Sequence, residues 1–249
     1  LAQKLAKEVD ADLILGSDPD ADRVAIQVKG KDGAYVQISG NQTGVLLLDY
    51  LIGAKKRAGT LPDRPVALKS LVTTDLARVV AEANGVESYN TFTGFKFMAE
   101  KKNQLEAAGQ GHVIFSYEES IGYMIGDYVR DKDAVTASLL LTEMTAWYAS
   151  QGMTLLLTEM AAWYAGQGMT LYDALQALYK KYGDYAERTL NLVMPGLEGM
   201  ANMKAIMAAL RQTPPAEIAG TPVACQKDYQ DGTARDTATG TVTQMELVG

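Results

Sequence analysis

The period of the hydrophobic positions changes several times along the chain, and each change marks an element. Leu1 to Val9 reads as the tail of a helix that lacks an opening cap. The run Leu13-Ile14-Leu15-Gly16 and the segments Val24-Ala25-Ile26-Gln27-Val28 and Tyr35-Val36-Gln37-Ile38 predict strands. A turn at Lys31-Asp32-Gly33 joins the last two, and Asp-Gly is a strong hairpin signal. Residues 1–39 therefore look like the closing part of a domain.

From Gly40 helical and strand patterns alternate. Asn41 is expected to cap a helix through Val45, Leu48 and Ile52 to Gly59. Pro65 to Leu71 predicts a strand, and Thr74-Asp75 opens a helix ending at Asn84-Gly85. Val86 to Phe92 predicts a second strand, Lys96 to Ala108 a helix, and Val113 to Ser116 a third strand. Strands separated by helical patterns of about 10 to 15 residues imply right-handed βαβ units. The fold class expected is α/β, a doubly wound mixed or parallel sheet domain over residues 40–182.

Residues 133–182 read as helical and contain a tandem repeat. Leu139 to Thr154 recurs as Leu155 to Thr170, with Ala161 for Thr145 and Gly166 for Ser150 as the only changes. Two copies fall short of a solenoid, so a local duplication is the reading. Sixteen residues turn a helix about 160° beyond whole turns, which would send the two apolar faces opposite ways. A break at Gly152, with Thr154 as the next N-cap, is expected. From Gly183 the pattern becomes α+β: a strand near Thr189 to Met194, a helix Glu198 to Leu210, a Pro214-Pro215 break, and strands around Val223 and Thr241 to Leu247. Three parts are thus expected, 1–39, 40–182 and 183–249, the outer two being a partial α/β and a partial α+β domain.

Composition narrows the function. The 249 residues are 47% hydrophobic, enough to fill the cores of two domains. A net charge of -7 argues against nucleic acid or an anionic membrane as a general partner. One cysteine, Cys225, cannot form an internal disulfide and suits a reducing cytosol. No apolar run reaches about 18 residues, so a cytoplasmic location is expected. The single histidine, His112, gives zinc or Ser-His-Asp chemistry no support and is read as structural.

Four stretches carry candidate chemistry. In Asp18-Pro19-Asp20-Ala21-Asp22-Arg23 three acids stand at every second position, so an extended backbone would point them the same way. Such crowding calls for a cation, with Mg²⁺ as the candidate, or else this is an acidic surface turn without an ion. An EF-hand is excluded, because Arg23 and Lys29 stand where it needs glycine and glutamate. Tyr117-Glu118-Glu119-Ser120-Ile121-Gly122 follows a strand and reads either as a polar turn or as a carboxylate and hydroxyl able to clasp sugar hydroxyls. Thr93-Gly94-Phe95-Lys96 opens a helix, as a simple cap or an anion site. Arg130-Asp131-Lys132-Asp133 precedes another helix, its lysine being a solvated charge unless it reaches a site.

Together these motifs resemble the α-D-phosphohexomutase family, the phosphoglucomutases and phosphomannomutases. The resemblance implies that Asp18, Asp20 and Asp22 hold a catalytic Mg²⁺ and that Glu118 and Ser120 grip ring hydroxyls, as in the family's G-E-E-S loop. Thr93 and Lys96 match its T-G-x-K loop and are carried over as substrate-binding. Lys132 matches the lysine of R-x-K-D-G and, with Arg23, is carried over as catalytic, contacting phosphate and reacting oxygens. Tyr117 replaces the family's glycine and is expected to narrow the loop's approach to the sugar or shift its backbone; Ala134 replaces another. Nothing matches the family's S/T-A-S-H-N-P serine loop or its R-P-S-G-T-E-P phosphate loop. The expectation is the middle of a phosphohexomutase, inactive by itself, with a hexose phosphate as partner of the whole enzyme. The alternative is a non-catalytic phosphosugar- or metal-binding module. Glucose against mannose or glucosamine, and the oligomeric state, are left open.

Overall fold

Along Val24–Lys29 every second residue is buried, the signature of a strand with one face on a core. This strand, β2, pairs antiparallel with β1 (Leu13–Ser17) and β3 (Tyr35–Ile38) in the order β1-β2-β3, after helix α1 (Ala2–Glu8). The computed structural model describes residues 1–30, 33–127, 129–150, 179–183, 185, 196–218 and 220–245. They form two compact units, 1–187 and 188–248. The boundary expected after residue 39 falls inside the first unit.

Helix α2 (Gly40–Ala58) is capped by Ser39, not Asn41. Ser39 and Gln42 form a reciprocal capping box, which satisfies two backbone donors at once. Asn41 instead accepts a hydrogen bond from the Thr74 N–H at 3.0 Å. Gly59, at φ 65°, ends the helix as expected.

Strands β4 (Pro65–Ser70), β5 (Glu87–Thr91), β6 (His112–Glu118) and β7 (Gly122–Met124) form one sheet in the order β5-β4-β6-β7. The first three are parallel and β7 is antiparallel, so the sheet is mixed. Gly-Tyr-Met of β7 is too short to carry a readable period. Helix α3 (Leu76–Ala83) covers one face together with α2 and α5 (Ala134–Ser150); α4 (Phe95–Ala107) covers the other. Because α3 and α4 lie on opposite faces, the chain reverses its winding between adjacent β4 and β6, and a ligand crevice is expected at their carboxyl ends. Asp133 caps α5, accepting from the N–H groups of Val135 and Thr136.

An irregularity in β6 sets what faces that crevice. Val66 pairs with Val113 but Ala67 with Phe115, so Ile114 is an extra residue, a β-bulge. The bulge places both Ile114 and Phe115 in the core under α2 and α3, with Tyr117 following, whereas Val113 packs under α4. Beyond it the strand alternates again, and Glu118 is turned to the side of α4.

The expected break at Gly152 and the second repeat copy lie outside the described residues, as do Lys31 and Asp32 of the first turn and the strand expected at 189–194. In the second unit α6 (Gly196–Gln212) precedes five short strands: β8 (Glu217–Ile218), β9 (Thr221–Pro222), β10 (Cys225–Asp228), β11 (Thr233–Asp236) and β12 (Val242–Gln244). Val223 lies between β9 and β10, its N–H donating to the Ala216 carbonyl at 2.9 Å. The β10–β11 hairpin has no apolar alternation to betray it. Among the described residues no helix is long and apolar enough to cross a membrane.

Candidate functional site

The acidic loop joins β1 to β2 of a hairpin and is a turn, not an extended segment. Pro19 pre-sets the turn, Ala21 N–H donates to the Asp18 carbonyl at 3.1 Å, and Ala21 lies at φ 56°. The chain curls around the Asp18 carboxylate, whose Oδ1 accepts from the N–H groups of Asp22 (3.2 Å) and Arg23 (3.0 Å). Curling, rather than strand alternation, gathers one ligand oxygen each of Asp18, Asp20 and Asp22 to within 4.8 Å of one another. Desolvation pushes the Asp18 carboxyl up, but the Arg23 N–H and the Asp22 contacts outweigh it and hold the group below its ordinary value.

Lys132 reaches this loop from the segment before α5. Its Nζ lies 2.8 Å from Asp22 Oδ2 and 3.3 Å from Asp131 Oδ1, and 5.7 Å from the centre of the Phe95 ring. The hydrogen bond to Asp22 is the main cause that raises the pKa of Lys132, so the ammonium is held charged. Gly122 makes this approach possible: a Cβ there would stand 3.0 Å from both Lys132 Cδ and Phe95 Cε2. Arg23 is exposed, its Nε 3.8 Å from Asp22 Oδ1, and its backbone bridges to Gly122.

The motif Glu118 to Gly122 is the tip of the β6–β7 hairpin. Glu118 pairs with Gly122, and Glu119, Ser120 and Ile121 make the turn. Ile121 sits at φ 59°, a left-handed conformation that is costly for a β-branched residue. Glu118 is buried, and its Oε1 accepts from Gly94 N–H at 2.6 Å. The chain's own carboxylate thus takes one of the donors at the start of α4 that the sequence offers to an anion. Thr93 and Lys96 flank that donor and are both exposed, Lys96 Nζ lying 4.7 Å from the Phe97 ring centre.

Tyr117 corrects an expectation. Its ring does not narrow the crevice; it is 1% exposed, on the opposite face of β6, stacked with Phe115 at 5.5 Å and Tyr123 at 6.4 Å. Gly44 of α2 makes room for it. His112 opens β6 at the far end from Glu118, its N–H bonded to the Arg64 carbonyl.

The acidic loop, the hairpin tip, the start of α4 and the Lys132 segment therefore meet in one region of the first unit. Val24 N–H donates to the Ile121 carbonyl at 3.2 Å and Ala134 N–H to the Ala21 carbonyl at 3.1 Å, stitching the loop to both neighbours. Sequence reasoning missed Ser70, Thr73 and the carboxylate of Glu119, which meet at the end of β4. Their position just after a strand was the one available signal.

Residues 39–182 match the family model described as phosphoglucomutase/phosphomannomutase, alpha/beta/alpha domain III. The chain is 34% identical over 228 residues to a phosphoglucomutase of Staphylococcus aureus (strain bovine RF122 / ET3-1), an alignment covering 92% of this chain and 37% of that protein. A Staphylococcus epidermidis phosphoglucomutase is 31% identical over 244 residues, covering 98% and 41% respectively. The chain thus spans well under half the length of these curated relatives. In fold it is similar to the open-form crystal structure of parafusin, a Paramecium phosphoglucomutase, with a TM-score of 0.51 at 17% identity over 94% of this chain and 34% of that one. The extent of the family match, more than half of the chain, carries the conclusion: this chain belongs to the α-D-phosphohexomutase family.

Proposed function

We propose that the chain supplies the metal-, sugar- and phosphate-contacting parts of an Mg²⁺-dependent phosphohexomutase. The reaction is intramolecular phosphoryl transfer between the 1- and 6-positions of a hexose phosphate. A phosphoserine outside these residues donates its phosphoryl group to the free hydroxyl, and the resulting bisphosphate, turned over, returns the other. On this reading residues 1–39 close a second domain, 40–182 form the third, which the family match supports, and 183–249 begin a fourth. The observation that carries the proposal is the Lys132–Asp22 pair, which joins two of the four motifs in space.

An oxygen-liganded Mg²⁺ keeps its ligand atoms no more than about 4.2 Å apart. The acidic oxygens, within 4.8 Å of one another, fit after a small contraction, and all three donors are of the hard type such an ion takes. When bound there, the ion supplies charge that offsets negative charge on the phosphoryl oxygens. Lys132, held protonated, acts as a fixed cation toward the transferring group rather than as a base, with Arg23 beside it. Glu118, a carboxylate at the hairpin tip, accepts hydrogen bonds from ring hydroxyls, and the Ser120 hydroxyl both accepts and donates, in either sugar orientation. Thr93 and Lys96 border the same crevice.

Titration of the purified chain with Mn²⁺, followed by the electron spin resonance of the free ion, tests the metal assignment. One site is expected, weakened at least tenfold by Asp20→Asn; equal binding by both proteins would remove it. Calorimetry with glucose 1,6-bisphosphate and Mg²⁺ tests the rest. Weak binding fits a part of the mutase, and tight binding would favour a dedicated sensor module.

A further inference from the structure

The hairpin tip that presents Glu118 and Ser120 carries a strained residue, Ile121, and strain of this kind persists only where the surroundings over-determine it. Those surroundings converge on Glu119. Its Oε2 lies 3.2 Å from Ser70 Oγ and 3.3 Å from Thr73 Oγ1, and these two hydroxyls are 2.6 Å apart. Ser70 and Thr73 are 0% and 4% exposed and Glu119 is half-buried, so two hydroxyl protons serve three contacts in a largely shielded place. The cluster is itself anchored. Lys69 Nζ donates to the Thr73 carbonyl at 3.0 Å, and Thr74 N–H donates to Asn41 at the start of α2. On the other side of the tip, Gly40 lets the turn come close: a Cβ there would stand 2.8 Å from the Glu119 carbonyl carbon and 2.9 Å from Ile121 N. The far end of the turn is tied to the acidic loop through Ile121 O and Val24 N–H.

We propose that Glu119 is a positioning residue: gripped by Ser70 and Thr73, its carboxylate sets the hairpin tip so that Glu118 and Ser120 meet the sugar and Ile121 O meets the acidic loop. The part concerning the sugar rests on the function proposed above; the clamp on the tip does not. On this proposal Glu119 contacts neither substrate nor metal itself. Its role is transmitted through the backbone, from the carboxyl end of β4 to the two loops that meet there.

The test compares Glu119→Ala and Glu119→Gln in the 249-residue chain, with Ser70→Ala/Thr73→Val as a second route to the same loss. Hydrogen exchange of the Val24 amide, whose acceptor is Ile121 O, reads the clamp without any ligand. In Glu119→Ala and in the double variant Val24 is expected to exchange at least about tenfold faster, while amides of α3 keep their rates. Glu119→Gln, whose amide oxygen still accepts from both hydroxyls, restores the protection. Affinity for glucose 1-phosphate with Mg²⁺, by calorimetry, is expected to fall about tenfold in Glu119→Ala and recover in Glu119→Gln, with Mn²⁺ affinity changed less than about twofold. Unchanged Val24 exchange in Glu119→Ala overturns the clamp. Equal loss of sugar affinity in the Gln and Ala variants overturns the positioning role, since the charge itself would then be what matters. If the wild-type chain ignores glucose 1-phosphate while Val24 responds as expected, the sugar-binding assignment falls and the clamp stands.

Discussion

Substituting Gly44 by alanine tests whether Tyr117 is a core residue. A Cβ at Gly44 would stand 2.7 Å from Tyr117 Cζ and closer still to two other carbons of that ring, against the 3.5 to 4.0 Å at which carbon atoms rest. The ring must retreat by about 1 Å or more, yet it is buried against Phe115 and Tyr123 at stacking distance. Overpacking of this kind costs about 1 to 3 kcal/mol, partly offset by the ~1 kcal/mol that alanine gains over glycine in a helix interior. Gly44→Ala alone is therefore expected to destabilise by up to about 2 kcal/mol. Tyr117→Ala removes a buried aromatic and costs about 3 to 5 kcal/mol. In the Tyr117→Ala background the three closest clashes are removed, because the three atoms nearest the new methyl all belong to that ring. There Gly44→Ala should stabilise by about 0.5 to 1 kcal/mol, a change of sign with a coupling of about 2 kcal/mol. The assay is urea unfolding of the four proteins followed by circular dichroism, with midpoints compared at constant slope. Additivity within about 0.5 kcal/mol would refute the packing argument and return Tyr117 to the crevice as a residue that meets the sugar.

Lys132 gives a prediction with a pH signature. Its folded pKa is raised above 10.5 by Asp22, so its contribution is fully present below 10.5 and lost as pH rises through the folded value. Lys132→Met should cost about 0.5 to 1 kcal/mol at pH 7, and the difference from wild type should vanish at strongly alkaline pH in urea titrations; a constant difference would place its origin in packing. Ala21, at φ 56°, should prefer to be glycine: the left-handed penalty of about 1 to 2 kcal/mol exceeds the entropy cost of glycine by about 0.5 kcal/mol. A rise of the thermal midpoint in Ala21→Gly checks this, and a fall would mean that the methyl group is packed.

The chemistry of the site was legible, its geometry less so. Asp18, Asp20 and Asp22 announce a cation by type and spacing, but the alternation argument had them on an extended segment, whereas a turn around Asp18 gathers them. Proline at the second position was the available signal for that turn. The Ser70–Thr73–Glu119 cluster was invisible because its members lie 46 and 49 residues apart and each type is ordinary in a turn. Gly44 and Tyr117 compensate one another across α2 and β6, and only a contact reveals that.

By itself the sequence determined the kinds of element and the kinds of chemistry. Period and turn residues act locally, within a few bonds, and a carboxylate is an acid in any fold. Only the tertiary structure decided which face each side chain meets. The run Val113-Ile114-Phe115 is equally apolar in every register, and a single bulged residue at Ile114 turns Tyr117 into the core and Glu118 toward Gly94. That choice is made by what packs above and below the sheet, by α2 with its glycines on one side and α4 on the other. Such contacts join residues far apart in the chain, and their energies exist only once those residues have met.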